Sequence, residues 1–184
     1  MDAFLKIYTS LFQKKCKSSP LPHLPSLKKT FNFARKKTMR KAEMITDKGT
    51  MLIEFYDTDA PKAVQNFIDL SKKGFYDGLT FHRVIPNFMV QGGDPDGTGG
   101  GGPGYTIDCE LTGELQYHDK GVLSMAHRGR NTGGSQFFIC HNRSNTQHLD
   151  RNHTCFGKVV EGLEVVDLLR QGDKIQKITV LEEV

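Results

Sequence analysis

From Glu43 onward the apolar positions fall into short, regular runs. Met51, Ile53 and Phe55 alternate with Leu52, Glu54 and Tyr56 after the turn Thr46-Asp47-Lys48-Gly49, the period-two pattern of a strand. Ala63, Val64, Phe67, Ile68 and Ser71 then recur at helical spacing, with Asp59 placed to cap the helix, Pro61 in its first turn and Gly74 past its end. Three strand candidates follow, near Thr80 to Val84, Phe88 to Gln91 and Tyr105 to Cys109. Pro86-Asn87 parts the first two and a glycine-rich loop parts the last two. Further strands are predicted at Val122 to Ala126, Gln136 to Cys140, Cys155 to Val160 and Ile175 to Leu181, with a second helix at Leu163 to Leu169 closed by Gly172. Many short strands with only two helices, and no alternation of helix with strand, predict a closed or sandwiched antiparallel sheet.

Composition divides the chain. The net charge of +4 over 184 residues hides a segment from Met1 to Glu43 with 11 basic and 2 acidic residues, net +9, and a remainder with 14 basic and 19 acidic, net −5. Residues 1–42 also hold Pro20, Pro22 and Pro25 and lack any sustained hydrophobic period, so they read as a basic, disordered extension or leader. Residues 43–184 read as the folded domain. The apolar stretch Ala3 to Phe12 is broken by Lys6 with no small-residue cleavage site close behind, unlike a secretory signal. A translation start at Met39, implying a cytoplasmic protein, and an organellar leader both fit.

The basic segment sets Phe31 and Phe33 among lysines but carries no recognisable nucleic-acid-reading fold; solvated charge is the commoner reading, and no nucleic-acid partner is expected. No apolar run approaches the ~18 residues of a membrane-spanning helix, so no membrane partner is expected either. Cys16, Cys109, Cys140 and Cys155 form no CxxC pair, which favours reduced thiols. Tryptophan is absent.

Candidate chemistry narrows quickly. Gly97, Gly99 and Gly102 satisfy GxGxxG, but Pro103-Gly104 and an extended segment follow where a dinucleotide site needs a helix, so the loop reads as a surface connection edging a groove. His141, His148, His153, Cys140 and Cys155 lack a zinc-type spacing, and Ser135 lacks a nucleophile-elbow pattern and an identifiable base. Neither metal nor cofactor is expected. Two segments are more informative: Phe81-His82-Arg83-Val84-Ile85-Pro86-Asn87-Phe88-Met89-Val90-Gln91-Gly92-Gly93-Asp94, which sets one arginine and one glutamine among large apolar groups, and Leu123-Ser124-Met125-Ala126-His127 through Gln136-Phe137-Phe138-Ile139. Taken alone, both are ordinary strands, with Arg83 in a salt bridge.

FHRVIPNFMVQGGD, LSMA, GSQFFI and CFGKVVEGLEVVD, in that order, resemble the cyclophilin family of peptidyl-prolyl cis/trans isomerases over about Glu43 to Leu181. The resemblance implies a mainly β fold, a closed eight-stranded antiparallel barrel capped by two helices, acting as a monomer on proline-containing peptides and on unfolded or partly folded proteins. By the family pattern Arg83 matches the catalytic arginine, and Phe88, Met89, Phe138 and Leu149 match the pocket for the proline ring. Gln91, Ala126, Gln136 and His153 match further groove positions, and His127 stands where an asparagine is common. His148 occupies a position where many members carry tryptophan, which accounts for the missing Trp and implies weakened cyclosporin binding. Isomerisation of X-Pro breaks no bond, so a twisted amide stabilised by a guanidinium suffices, without a covalent intermediate.

Overall fold

The computed structural model describes residues 39–181. The basic N-terminal extension lies outside them except for residues 39–42. Those belong to the first hairpin: β1 (Lys41–Thr46) pairs with β2 (Gly49–Phe55), putting Ala42, Met44, Met51, Ile53 and Phe55 inward. The Thr46 hydroxyl donates to the Gly49 carbonyl at 2.8 Å and closes the turn. Beside this hairpin Arg40 donates to the Asp57 carboxylate at 2.6 Å.

The chain continues through α1 (Pro61–Lys72), β3 (Arg83–Ile85), β4 (Met89–Gly92), β5 (Val122–Met125), β6 (Phe137–Cys140), α2 (Arg143–Thr146), a 3-10 turn at Gln147–Leu149, β7 (Cys155–Glu161), α3 (Leu163–Leu168) and β8 (Ile175–Leu181). All strand pairs are antiparallel, and the strands run β3-β4-β6-β5-β7-β2-β1-β8 across one curled sheet.

Three expectations about the elements are corrected. The ladder is open, with β3 and β8 as its ends, rather than a closed barrel. β3 is only three residues long and stops at Pro86, which has no amide to continue a ladder. The gap is spanned by backbone bonds from the segment before β3, with an isolated bridge between Thr80 and Lys174 and the Phe81 amide donating to the Asp173 carbonyl at 2.8 Å. The described residues also contain three α-helices, not two. The extra one, α2, is four residues long, too short to show a helical period, and begins where the Asn142 side chain accepts from the Ser144 amide. The strand expected at Tyr105 to Cys109 is reduced to a single bridge between Ile107 and Gly133.

The inner face of the sheet packs on α1, whose apolar stripe Ala63, Val64, Phe67 and Ile68 is buried. Phe67 is its centre, with ring centroids 5.8 Å from Phe55, 4.9 Å from Tyr76, 5.3 Å from Phe137 and 5.2 Å from Phe156. Offset and edge-on aromatic pairs of this kind add about 0.5–1.5 kcal/mol each beyond the area they bury.

Asp59 does not cap α1. The residue at the cap is Ala60, which has no side chain to offer, and Asp59 instead accepts from the Leu115 amide at 2.5 Å. Glu110, from a distant loop, takes over the capping role: its carboxylate accepts from the Lys62 amide at 3.0 Å and the Ala63 amide at 3.0 Å. It satisfies donors that have no partner within the helix and places negative charge at the positive end of the helix dipole. Glu110→Ala is therefore expected to lower the unfolding free energy by about 1 kcal/mol, with Glu110→Gln losing less, as read from urea midpoints.

Candidate functional site

The second face of β4, β5 and β6 is also apolar, so β5 and β6 are buried on both sides. Val90, Leu123, Phe137 and Ile139 point into the main core, whereas Met89, Val122, Phe138 and Cys140 form a separate cluster with Tyr56 and Cys155. Phe88, Ala126 and Leu149 pack on this second cluster and leave part of their surface exposed.

Register then decides what stands beside it. Arg83 on β3 is opposite Gln91 on β4, and Gln91 is opposite Phe138 on β6. These three side chains share a face and span two strand spacings, about 10 Å. A hydrogen-bonded line runs along them: Arg83 Nη1 to Gln91 Oε1 at 3.4 Å, Gln91 Nε2 to Gln136 Oε1 at 2.9 Å, and Gln136 Nε2 to the Gly101 carbonyl at 2.9 Å. Among the described residues no carboxylate lies within 4 Å of Arg83, so the salt bridge that an ordinary strand arginine would make is absent.

These groups line an open cavity of about 690 Å³. Arg83, Phe88, Met89, Gln91 and Phe138 form one part of its wall, and Ala126, His127, Gln136, Leu149 and His153 another. His148 does not line it. Its ring, on an exposed residue, stacks on Phe88 with centroids 5.8 Å apart and planes at 11°. The rest of the wall comes from the glycine loop, Gly99 to Gly104, and from Tyr105, Thr106, Arg128, Thr132, Gly134 and Ser135. Asp94 shapes this loop: although burial acts to raise its pKa, bonds from the Asp96 and Gly99 amides hold it below the usual carboxylate value. A side chain at Gly101 would collide with the Asp94 and Asp96 carboxylates, so glycine is required there.

The histidines are braces. His127 Nε2–H donates to the Asn152 carbonyl at 2.9 Å, His153 Nδ1–H donates to the Met125 carbonyl at 3.0 Å, and the two rings stack with centroids 4.0 Å apart. His141 Nε2–H donates to the Val166 carbonyl at 3.0 Å. Among the described residues no group of three or more His, Cys, Asp or Glu side chains converges on a point where a metal ion could sit.

His118 was not anticipated from the sequence. It is 0% exposed, lies 3.1 Å from the Asp150 carboxylate through Nδ1 and 2.9 Å from the Ser124 hydroxyl through Nε2, and stacks under Phe138 with centroids 5.7 Å apart. The carboxylate fixes the proton on Nδ1. The line Ser124-His118-Asp150 has the order of a nucleophilic triad, yet Ser124 is 0% exposed and no substrate reaches it. It supports the floor of the apolar cluster. Its members are six and 32 residues apart, and no spacing rule joins them.

Residues 41–184 match the family described as cyclophilin type peptidyl-prolyl cis-trans isomerase/CLD. The chain is 56% identical over 147 residues to a peptidyl-prolyl cis-trans isomerase of Synechococcus elongatus, covering 79% of this chain and 99% of that one. It is 52% identical over 137 residues to peptidyl-prolyl cis-trans isomerase B of Bacillus subtilis, covering 74% and 94% respectively. The crystal structure of a cyclophilin type peptidyl-prolyl cis-trans isomerase from Cryptosporidium parvum superposes with a TM-score of 0.73 at 34% identity, covering 79% of this chain and 99% of that one. A second structure of that protein, solved in the presence of the dipeptide Ala-Pro, superposes with a TM-score of 0.71 at the same identity, covering 78% and 99%.

The imidazoles beside the cavity leave a measurable trace. Burial first, and then the adjacent His127, push His153 down to about 4. Burial likewise holds His118 and His141 below the ordinary histidine value. The unfolded chain, whose histidines titrate near about 6.5, therefore binds more protons than the folded one between the two values. Stability is fully present above that window and falls as pH drops through it. In urea unfolding between pH 7 and 4, His153→Gln is expected to flatten this slope; an unchanged slope would place the titration elsewhere.

Proposed function

The chain belongs to the cyclophilin-type peptidyl-prolyl cis-trans isomerases, and from that premise we propose that Arg83 and the neighbouring apolar cluster carry out the isomerisation. The reaction is the rotation of an X-Pro amide over a barrier of ~18–20 kcal/mol, set by delocalisation of the nitrogen lone pair into the carbonyl. In the twisted amide that delocalisation is lost. The nitrogen becomes pyramidal and regains a lone pair that can accept a hydrogen bond. An enzyme that binds this form better than either planar isomer accelerates rotation in both directions.

The observation that carries the reading is an arginine without a carboxylate partner among the described residues, bonded to Gln91 beside the second apolar cluster and its partly exposed rim of Phe88, Ala126 and Leu149. An arginine has five N–H donors. Arg83 directs one toward Gln91 and keeps the others for the cavity. Its charge is permanent and its fork rigid, so it can donate toward the proline nitrogen as the lone pair localises. The proline ring sits among Phe88, Met89, Phe138 and Leu149, which hold it while the acyl side turns. Ala126, His127 and His153 border the ring, and Gln91 and Gln136 offer amide groups to the peptide backbone. His148 contributes by stacking on Phe88. No bond is made or broken in this scheme, and no covalent intermediate forms.

Arg83→Ala is expected to reduce kcat/KM on a short Ala-Pro peptide by about 10²–10³-fold, the range for loss of one transition-state donor. Far-UV circular dichroism and the unfolding midpoint should be unchanged, because Arg83 is exposed and packs on nothing in the core. Arg83→Lys should recover little, since an ammonium group lacks the planar fork. Near wild-type turnover by Arg83→Ala would end the assignment.

A further inference from the structure

The cavity extends beyond the apolar cluster toward the glycine loop, and a second arginine stands there. Arg128 follows Ala126 by two residues. Its backbone amide donates to Thr132 Oγ1 at 3.1 Å, and its Nη2 donates to the Gly99 carbonyl at 3.1 Å, which fixes the guanidinium against the loop. Among the described residues no carboxylate lies within 4 Å of it. Asp94, which shapes the loop, is buried and occupied by the amides of Asp96 and Gly99. The cavity as a whole is lined by two arginines and by no Asp or Glu, in a domain whose net charge over residues 44–184 is −5. The positive charge is thus local and set against the average of the surface around it.

We infer that Arg128 forms a subsite for a carboxylate side chain of the substrate, giving this chain a preference for X-Pro bonds with Glu or Asp nearby. The inference rests on the proposed isomerase reading. Distance limits where the acid can be. Ala126 packs on the apolar cluster that takes the proline ring, and Arg128 lies two residues further along the chain. A substrate extended alongside rises about 3.3 Å per residue, so the matching side chain is within two residues of the proline. The guanidinium holds the Gly99 carbonyl with one donor and has others left for a carboxylate, which it can meet with two parallel bonds.

Isomerisation rates of short peptides, measured by exchange NMR with Glu, Gln or Lys at each position within two residues of the proline, test the subsite. At one position the wild-type chain should favour Glu over Gln by about three- to fivefold in kcat/KM, the scale of a solvent-exposed ion pair, with Lys disfavoured. The preference should shrink at 1 M salt, where the screening length is about 3 Å. It should vanish in Arg128→Ala and turn toward Lys in Arg128→Glu. Equal rates for Glu and Gln at every position, or a preference that survives in Arg128→Ala, would overturn the subsite while leaving the isomerase reading intact. Failure to turn over even the uncharged peptide would overturn the isomerase reading itself.

Discussion

The site depends on strand register. Because side chains alternate along a strand, the pairing that sets Arg83 opposite Gln91 and Gln91 opposite Phe138 decides that a cation, an amide and an apolar wall share one face. A slip of one residue on β4 would turn Gln91 into the core and bring Val90 out. The packing resists such a slip from both sides. Val90, Phe137 and Ile139 are anchored in the main core on the inner face, while Met89, Phe138 and Cys140 are anchored in the second cluster on the other. Each core therefore enforces the register on which the other depends.

The second cluster would be a weak floor if it rested on apolar contacts alone, since it is small and partly open to solvent. His118 stiffens it. Stacked beneath Phe138 and held between Asp150 and Ser124, it links β5 to the segment after the 3-10 turn, and Arg143 grips the same Asp150 carboxylate at 2.6 Å. Leu149, immediately before Asp150, is positioned with it. A polar network fully satisfied in this way, around an imidazole kept neutral by burial, confers order on the apolar surface above it.

Much of the architecture could be read from the chain because period-two and helical patterns survive wherever one face is buried. The strand expected at Ile175 to Leu181 is found over those residues, although its buried positions Ile175 and Ile178 lie three apart, across a register shift against β1. β1 is less plainly marked in the sequence than β2, because Lys41 and Glu43 lie in a charged stretch and Met44 is the one large apolar side chain among its inward positions. Tyr105 to Cys109 looked like a strand from its composition. There the chain is held mainly by side chains, with the Tyr105 hydroxyl donating to Asn66 and the Cys109 amide donating to Asn131. Asp59 had the residue type of a cap but faces another loop. In the candidate site, the residues that share contiguous motifs were legible together. Arg128 and His118 were not, because Arg128 acquires its role from Gly99, 29 residues earlier, and His118 from Asp150, 32 residues later.

The glycine loop divides the cavity wall into positions that can drift and positions that cannot. Gly101 is confined by Asp94 and Asp96, whereas a side chain added at Gly102 meets nothing. Arg128 likewise extends from a turn at the surface and bears on no core residue. The loop side of the cavity can thus vary at such positions, while the apolar floor is tied to two cores and a buried histidine. A lineage built on this scaffold can change its clientele by small surface steps without relearning its chemistry.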